Sequence, residues 1–312
     1  MKRFAAMLAV SVLMVLWIAS GDRMSSGQRT DGLYYEVTGI HPDAVLMRIN
    51  GEDISAEEYL YWLAYDCEYL TSYVPNLDFS AEVSNGMTYG SYAKADAVET
   101  VAAAAPQMRL RLGSIEPTVI TEDFCRRAAA TGQVCRHFHL SLQSGCDRTL
   151  ARMNRKYNTA EFLACVERLR RYFPGCALTA DMITGFPGET EADQAAAVAF
   201  LEQVGFAAVH VFPYSRRPGT KADAMPEQLS HAVKSARAHE AQRVADACKQ
   251  RYLVQQVGQT LPVLFETEHD GSWVGHSDNY CLVRAAGDDL RGLVKNVKIS
   301  AVSGQMLVGD LV

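Results

Sequence analysis

"HLSLQSGCDRTLARMNRKY", residues 139 to 157, is a short alternating strand that stops at Gln143-Ser144-Gly145 and runs directly into a basic helix. His139, Ser141 and Gln143 alternate with Leu140 and Leu142, so one side of the strand is polar and the other apolar. Gly145 and Asp147 supply the turn and the helix start. Parallel α/β folds place ligands at strand ends of this kind.

The same plan repeats on either side. "MRLRLGSIEP" (108–117) is an alternating strand closed by Gly, Ser and Pro, and a helical pattern follows near 121–130. Beyond the quoted stretch come a helix near 159–172, a strand within "ALTADMITGFPGET" (177–190) and a helix at 190–204 ended by Gly205. The fourth strand lies in "AAVHVFPYS" (207–215). Strands with helices between them predict parallel βαβ units, hence an α/β class in which four strands make a partial (β/α) barrel. A long helix from about 227 to 254 leads to 257–312, whose short apolar stretches are punctuated by Gly271, Gly275, Gly287, Gly292, Gly304 and Gly309, the pattern of a small antiparallel β-barrel.

Each central strand ends in a polar group: Ser114 and Glu116, then Ser141 and Gln143, then Asp181 with Gly185, then His210 with Tyr214 and Arg216. In a parallel sheet these ends share one rim, which suits a polar ligand bearing an amine, a carboxylate and hydroxyls. Gly145, Gly185 and Gly188 read as places where the backbone approaches a ligand, although Gly-Phe-Pro-Gly alone reads equally as a tight turn.

The first third of the chain has another character. Residues 1–107 carry 6 Lys and Arg against 14 Asp and Glu, whereas 108–312 carry 24 against 22. Met1-Lys2-Arg3, an apolar run over 4–18 and then Ala19-Ser20-Gly21 follow the plan of a signal peptide, and the run is short for a membrane span. Residues 1–21 are thus expected to be a signal or anchor, and the Ser-, Gly- and Asp-rich residues 22–43 a linker. In 44–73 an apolar strand, the Asn50-Gly51 turn and a Ser55/Glu58 capping box predict a strand, a turn and a helix. This resembles the first segment of exported foldases of the peptidyl-prolyl isomerase and SurA-like type over about 40–100, without their catalytic domain.

Eight cysteines, at 67, 125, 135, 146, 165, 176, 248 and 281, form no Cys-x-x-Cys or other tight metal-ligand spacing. Most are expected to be buried small hydrophobes, Cys165 among them beside Phe162, Val166 and Leu169.

The motifs "RLRLGSIEP", "HFHLSLQSGCDRTLARMNRKY", "DMITGFPGETEAD" and "VHVFPYSRRPGT", in this order, resemble the later strands of radical S-adenosylmethionine (SAM) tRNA methylthiotransferases, in particular the threonylcarbamoyladenosine subgroup. The terminal barrel resembles that family's TRAM domain, which is OB-like. The resemblance covers roughly 105–312 and implies a radical-SAM barrel over 105–256, a TRAM-like barrel over 257–312, and foldase-like helical residues over 44–100 before them.

The implied reaction places a methylthio group on a modified adenosine beside the tRNA anticodon, with SAM and two [4Fe-4S] clusters as cofactors and tRNA as partner. The family's Cys-x-x-x-Cys-x-x-Cys, which holds the cluster that splits SAM, is absent from this sequence, so no metal ligand is assigned and the chain alone is expected not to carry out the radical step. A separate polypeptide supplying the cluster domains is the partner this implies.

By the same resemblance Ser141, Gln143 and Asp181 contact the ribose or methionine groups of SAM, and Arg155 its carboxylate, with Ser114, Glu116 and Gly185 in the same cofactor-binding set. Arg216 and Arg217 meet phosphate or substrate. In the terminal barrel Arg284, Lys295 and Lys298 touch tRNA phosphates, while Trp273 and Tyr280 stack on bases. That barrel carries 4 Lys and Arg against 7 Asp and Glu, so its RNA binding rests on the resemblance and not on an electrostatic footprint. An export signal conflicts with a cytoplasmic tRNA enzyme, which leads to the expectation of a fused reading frame joined near "ADAVETVAAAAPQ" (95–107). The alternative function is an exported chaperone-like fragment without radical chemistry.

Overall fold

The computed structural model describes residues 45–49, 52–55, 82–84, 87–104, 106–269 and 271–312. The signal, the linker and the helix expected after Ser55 lie outside them. Two compact units divide the chain. In the first, β1 (Val45–Ile49) and β2 (Glu52–Ser55) form an antiparallel pair that runs from Val45↔Ser55 to Ile49↔Glu52. The turn expected at Asn50-Gly51 lies outside the described residues.

The second unit contains Glu82–Ala102 and Pro106–Val312. It begins with β3 (Glu82–Ser84) and β4 (Met87–Thr88), and then α1 (Tyr89–Ala104). The alanine-rich stretch that reads in the sequence as a seam is therefore a helix. Thr88 and Ser91 bond each other's backbone N–H reciprocally at its start. Ala95 and Val98 are buried in the main core, and Arg127 of the next helix pairs with Glu99 and Asp96. Small alanines let the helix approach that core closely, which a hydropathy pattern alone does not show.

Four parallel strands follow in the order β5 (Leu110–Ile115), β6 (Val134–Gln143), β7 (Ala177–Thr184) and β8 (Ala208–Pro213). Between them lie α2 (Glu122–Ala130), the short α3 (Asp147–Arg152), α4 (Thr159–Tyr172) and α5 (Glu191–Val204). Local chemistry sets these boundaries. Asn158 with Glu161, and Thr190 with Asp193, close capping boxes at the starts of α4 and α5, and Gly205 ends α5 in the left-handed conformation at φ 65°. Helix α3 stops after six residues, where Asn154 turns left-handed at φ 59°.

Strand alternation assigns the two faces of the sheet. Phe138, Leu140, Leu142, Leu178, Ala180 and Met182 are buried against Phe124, Phe162, Leu169, Phe200 and Leu201 of the helices. The intervening residues His137, His139, Thr179, Asp181 and His210 occupy the opposite face. The long α6 (His231–Gln255) packs beside β8 and α5 and leads to the second layer.

That layer is a closed barrel of β9 (Thr260–His269), β10 (Ser272–Ser277), β11 (Leu282–Ala285), β12 (Val294–Ser303) and β13 (Met306–Leu311), in the order β10-β11-β13-β12-β9. The all-antiparallel expectation is corrected at one place: β11 and β13 run parallel, through Val283↔Leu307 and Arg284↔Val308. A five-stranded barrel with this pairing has OB-type topology.

The barrel docks at the N-terminal ends of the sheet strands. Arg136 at the start of β6 forms a two-pronged pair with Asp278, at 2.7 and 3.2 Å. Tyr252 donates its hydroxyl proton to the Gly175 carbonyl at 2.9 Å, and Asn279 donates to Tyr252 and to Gln256 at 3.0 Å each.

Candidate functional site at the strand ends

At the C-terminal rim, β6 and β7 pair in register through His139↔Thr179 and Leu140↔Ala180, and then shift before Gln143↔Met182. The shift frees the Ser141 and Leu142 carbonyls, and the buried Tyr157 hydroxyl donates to both. Burial pushes the Tyr157 phenol upward from its ordinary value. Gln143 sits at φ 61°, a left-handed conformation uncommon for a side chain of this size and one that clusters at functional strand ends. Tyr157 is the residue that sequence reasoning missed; its place at the end of the quoted stretch, after a basic helix, gave no sign that it returns to the strand.

Ser141 and Asp181 occupy the face away from the helices, each partly exposed. Asp181 lies 3.4 Å from His139 Nε2, and His210 stands opposite Asp181 on β8. Thr179 bridges His137 and His139 through 3.0 Å contacts. Thr184 Oγ1 and the Tyr214 hydroxyl, linked by the bond from Tyr214 N–H to the Thr184 carbonyl at 2.8 Å, are buried without a hydrogen-bond partner among the described residues.

Several expectations change. Arg155 is held by Glu116 at 3.1 Å, so the guanidinium expected to take a ligand carboxylate already has one, and both residues remain partly exposed. The three glycines serve chain packing. A Cβ on Gly145 would meet the Ala197 carbonyl and Phe200 Cβ at 2.7 Å, one on Gly185 would meet Lys234 Cγ at 2.4 Å, and one on Gly188 would meet Arg152 Nη2 at 2.4 Å. Gly185 and Gly188 also have φ of 71° and 75°. Behind this loop, Glu189 accepts the Gly185 N–H at 2.8 Å and pairs with Arg237 of α6, also at 2.8 Å. Burial pushes its carboxyl up against the opposing pull of these bonds.

Arg216 closes a local loop with Asp223 at 2.7 Å, and the Arg217 carbonyl accepts from Thr220. In the barrel, Trp273 is only 8% exposed inside the core and cannot stack on a base, because alternation turns it inward beside Phe265 and Val283. Tyr280 is 48% exposed, but it already stacks on His276 and carries the Arg111 guanidinium 4.0 Å over its ring. Arg284 has a buried Nε with no partner among the described residues. Lys295 and Lys298 are exposed on β12, and Lys298 donates to the Gly258 carbonyl.

Among the described residues the donors do not fit an iron–sulfur cluster. The seven described cysteines are free and buried, and no three His, Cys, Asp or Glu side chains among the described residues are grouped to hold a metal. Burial pushes Cys125 and Cys281 up to about 12 and Cys176 up to about 11, opposite to the thiolate a metal requires.

A cavity of about 480 Å³ lies between the terminal barrel and the sheet face that carries His137, His139 and Thr179. Of the rim residues read from the sequence, only Ser114 and His210 line it. Burial, with Arg111 and His139 beside it, pushes the His137 imidazole down to about 4. The unfolded chain therefore binds a proton between pH ~6.5 and ~4 that the folded chain does not, and stability falls as pH drops through that window. The expected loss is about 2 kcal/mol between roughly pH 7.5 and pH 5. Urea midpoints should show it, and His137→Asn should reduce the pH dependence; equal pH dependence in both proteins would remove His137 as its source.

Residues 89–201 match the Radical SAM superfamily. Threonylcarbamoyladenosine tRNA methylthiotransferase MtaB of Bacillus subtilis (strain 168) is 36% identical over 61% of this chain and 44% of its own length. The tRNA-2-methylthio-N(6)-dimethylallyladenosine synthase of Maricaulis maris (strain MCS10) is 36% identical over 71% of this chain and 49% of its own. The chain thus spans about half the length of the curated relatives it matches. Among solved structures, coproporphyrinogen III oxidase from Escherichia coli aligns over 67% of this chain and 56% of that one, with a TM-score of 0.43 and 11% identity.

Proposed function

We propose that residues 82–312 form the cofactor- and RNA-holding part of a radical SAM tRNA methylthiotransferase, which binds SAM at the strand rim and tRNA through the terminal barrel. The observation that carries this reading is the placement of Ser141 and Gln143 at the end of β6 and of Asp181 beside them in the adjacent β7, with Ser141 and Asp181 on the face away from the helical core. Similarity to enzymes named as tRNA methylthiotransferases supports the substrate class.

Asp181 would take the SAM amine, and Ser141 and Gln143 its ribose hydroxyls. The Arg155–Glu116 pair would stand at the margin, its guanidinium shared with the methionine carboxylate. In the intact family the cluster supplies the electron that cleaves SAM; the described residues contain no ligand set for it, so the reading assigns this chain binding without cleavage. Arg284, Lys295 and Lys298 would meet tRNA phosphates, with Arg216 and Arg217 as the outlying basic pair.

Equilibrium dialysis of SAM against the full chain tests the rim. Asp181→Asn is expected to weaken binding about tenfold, the worth of one charged hydrogen bond. Failure of the unaltered chain to bind SAM at about millimolar concentration would end the reading. For tRNA, gel shifts should weaken with salt, and Lys295→Ala with Lys298→Ala should flatten the salt slope by about two phosphate contacts. An unchanged slope would remove β12 from the RNA surface.

A further inference from the structure

The cavity between the sheet and the terminal barrel has a chemistry of its own. Arg111 of β5 and Lys249 of α6 both line it, and no Asp or Glu does. The nearby carboxylates are already partnered: Asp181 and Glu266 by the lining residues His139 and His276, and Asp278 by Arg136. Among the described residues neither Arg111 nor Lys249 has a carboxylate partner; Lys249 is held by the Gln305 side-chain oxygen at 2.8 Å.

Arg111 is held differently, by the face of the Tyr280 ring 4.0 Å away. A guanidinium stacked by its face keeps its edge N–H groups available to an oxyanion. Tyr280 pays for this position with backbone strain, since φ is 64°, a conformation that is an outlier for a bulky residue and that persists only where its surroundings enforce it. The enforcing contacts are the His276 ring, stacked at 4.6 Å, and the His137 ring at 4.8 Å. The strain therefore places a ring whose visible work is to present Arg111 to the cavity.

We propose that this cavity binds a phosphate monoester of mononucleotide size, with Arg111 and Lys249 holding the phosphate. Its 480 Å³ lies within the range of small-ligand sites, roughly 300–1,000 Å³. Arginine matches phosphate through two parallel N–H bonds, while lysine adds a point charge. His137 lines the cavity beside Arg111; its Nε2 is engaged with Thr179, and its buried Nδ1 has no partner among the described residues. The site adjoins the proposed SAM rim, since His139 of its lining lies 3.4 Å from Asp181, but its ligand is tested with AMP in the absence of SAM, so its failure and that of the methylthiotransferase reading are read separately.

Isothermal titration of the full chain with AMP, inorganic phosphate and adenosine tests it. AMP should bind at one site per chain, phosphate should compete with it, and adenosine, lacking the phosphate, should not bind at comparable concentration. Arg111→Ala and Lys249→Ala should each weaken AMP about tenfold or more, with Arg111→Lys intermediate. Arg126→Ala, a change on the exposed face of α2, should leave the affinity unchanged. Circular dichroism at the titration temperature verifies that each variant is folded. Absence of AMP binding up to about 10 mM, or equal AMP affinity in folded Arg111→Ala, would each overturn the proposal.

Discussion

Glu189→Ala is expected to destabilise the protein by about 3–5 kcal/mol, because it leaves a buried guanidinium without its counter-charge. The Arg237 side chain is 11% exposed and that of Glu189 only 3%. Removing the carboxylate also strands the Gly185 N–H and loosens the link from the loop after β7 to α6. Arg237→Ala should cost a similar amount. The pair differs from an exposed ion pair such as Arg171–Glu122, whose removal should stay within about 1 kcal/mol. Paired replacement by Glu189→Leu and Arg237→Met should be milder than either alanine variant, since neither charge is then left buried alone. Urea unfolding of the three proteins decides it; a Glu189→Ala loss below about 1 kcal/mol would show that water reaches Arg237.

The second large effect is expected at Gly275, where β10 crosses β9. An added Cβ would stand 1.9 Å from the Leu264 carbonyl oxygen and 2.7 Å from Phe265 Cα, contacts with backbone that no side-chain rotation relieves. The pairing of the two strands shifts register between Val274 and Gly275, which brings the chains this close. Gly275→Ala should therefore destabilise the terminal barrel by about 3 kcal/mol or more. Hydrogen exchange would show lost protection at Val263, Phe265 and Val274 amides, while the helical core around Phe138 and Phe162 keeps more of its protection. Unchanged protection in the barrel would mean that the strands separate without cost, contrary to the packing.

Much of the parallel sheet was legible because alternation and punctuation agree there. The helix read at 159–172 is Thr159–Tyr172 in the structure, since Asn158 and Glu161 cap it and its apolar residues fall on one side. Gly205 ended α5 as its sequence context indicated. Strand β6 begins earlier than the quoted stretch, at Val134, because Cys135 and the buried His137 do not read as strand residues by hydropathy alone. Helix α1 was hidden by its composition: alanines carry little hydrophobic period, and its burial depends on partners distant in sequence.

The site was legible as a polar rim but not as a set of contacts. Spacing placed Ser141, Gln143 and Asp181 on one face, whereas the Arg155–Glu116 and Arg216–Asp223 pairs depend on loop geometry that spacing does not encode. Trp273 was misread because an isolated aromatic in a short strand gives no face; only the barrel register turns it inward. The cavity lined by Arg111 and Lys249 joins a strand and a helix more than a hundred residues apart, and no local motif announces it.

The most direct measurement is SAM turnover by the full chain after anaerobic treatment with iron, sulfide and a strong reductant. Iron content, bound SAM and released methionine would be read on the same sample. The account predicts SAM bound at the rim, iron below cluster stoichiometry and no methionine released from SAM. Iron bound at cluster stoichiometry together with methionine release would contradict it, and would mean that the chain assembles a ligand set for the cluster which its described residues do not contain.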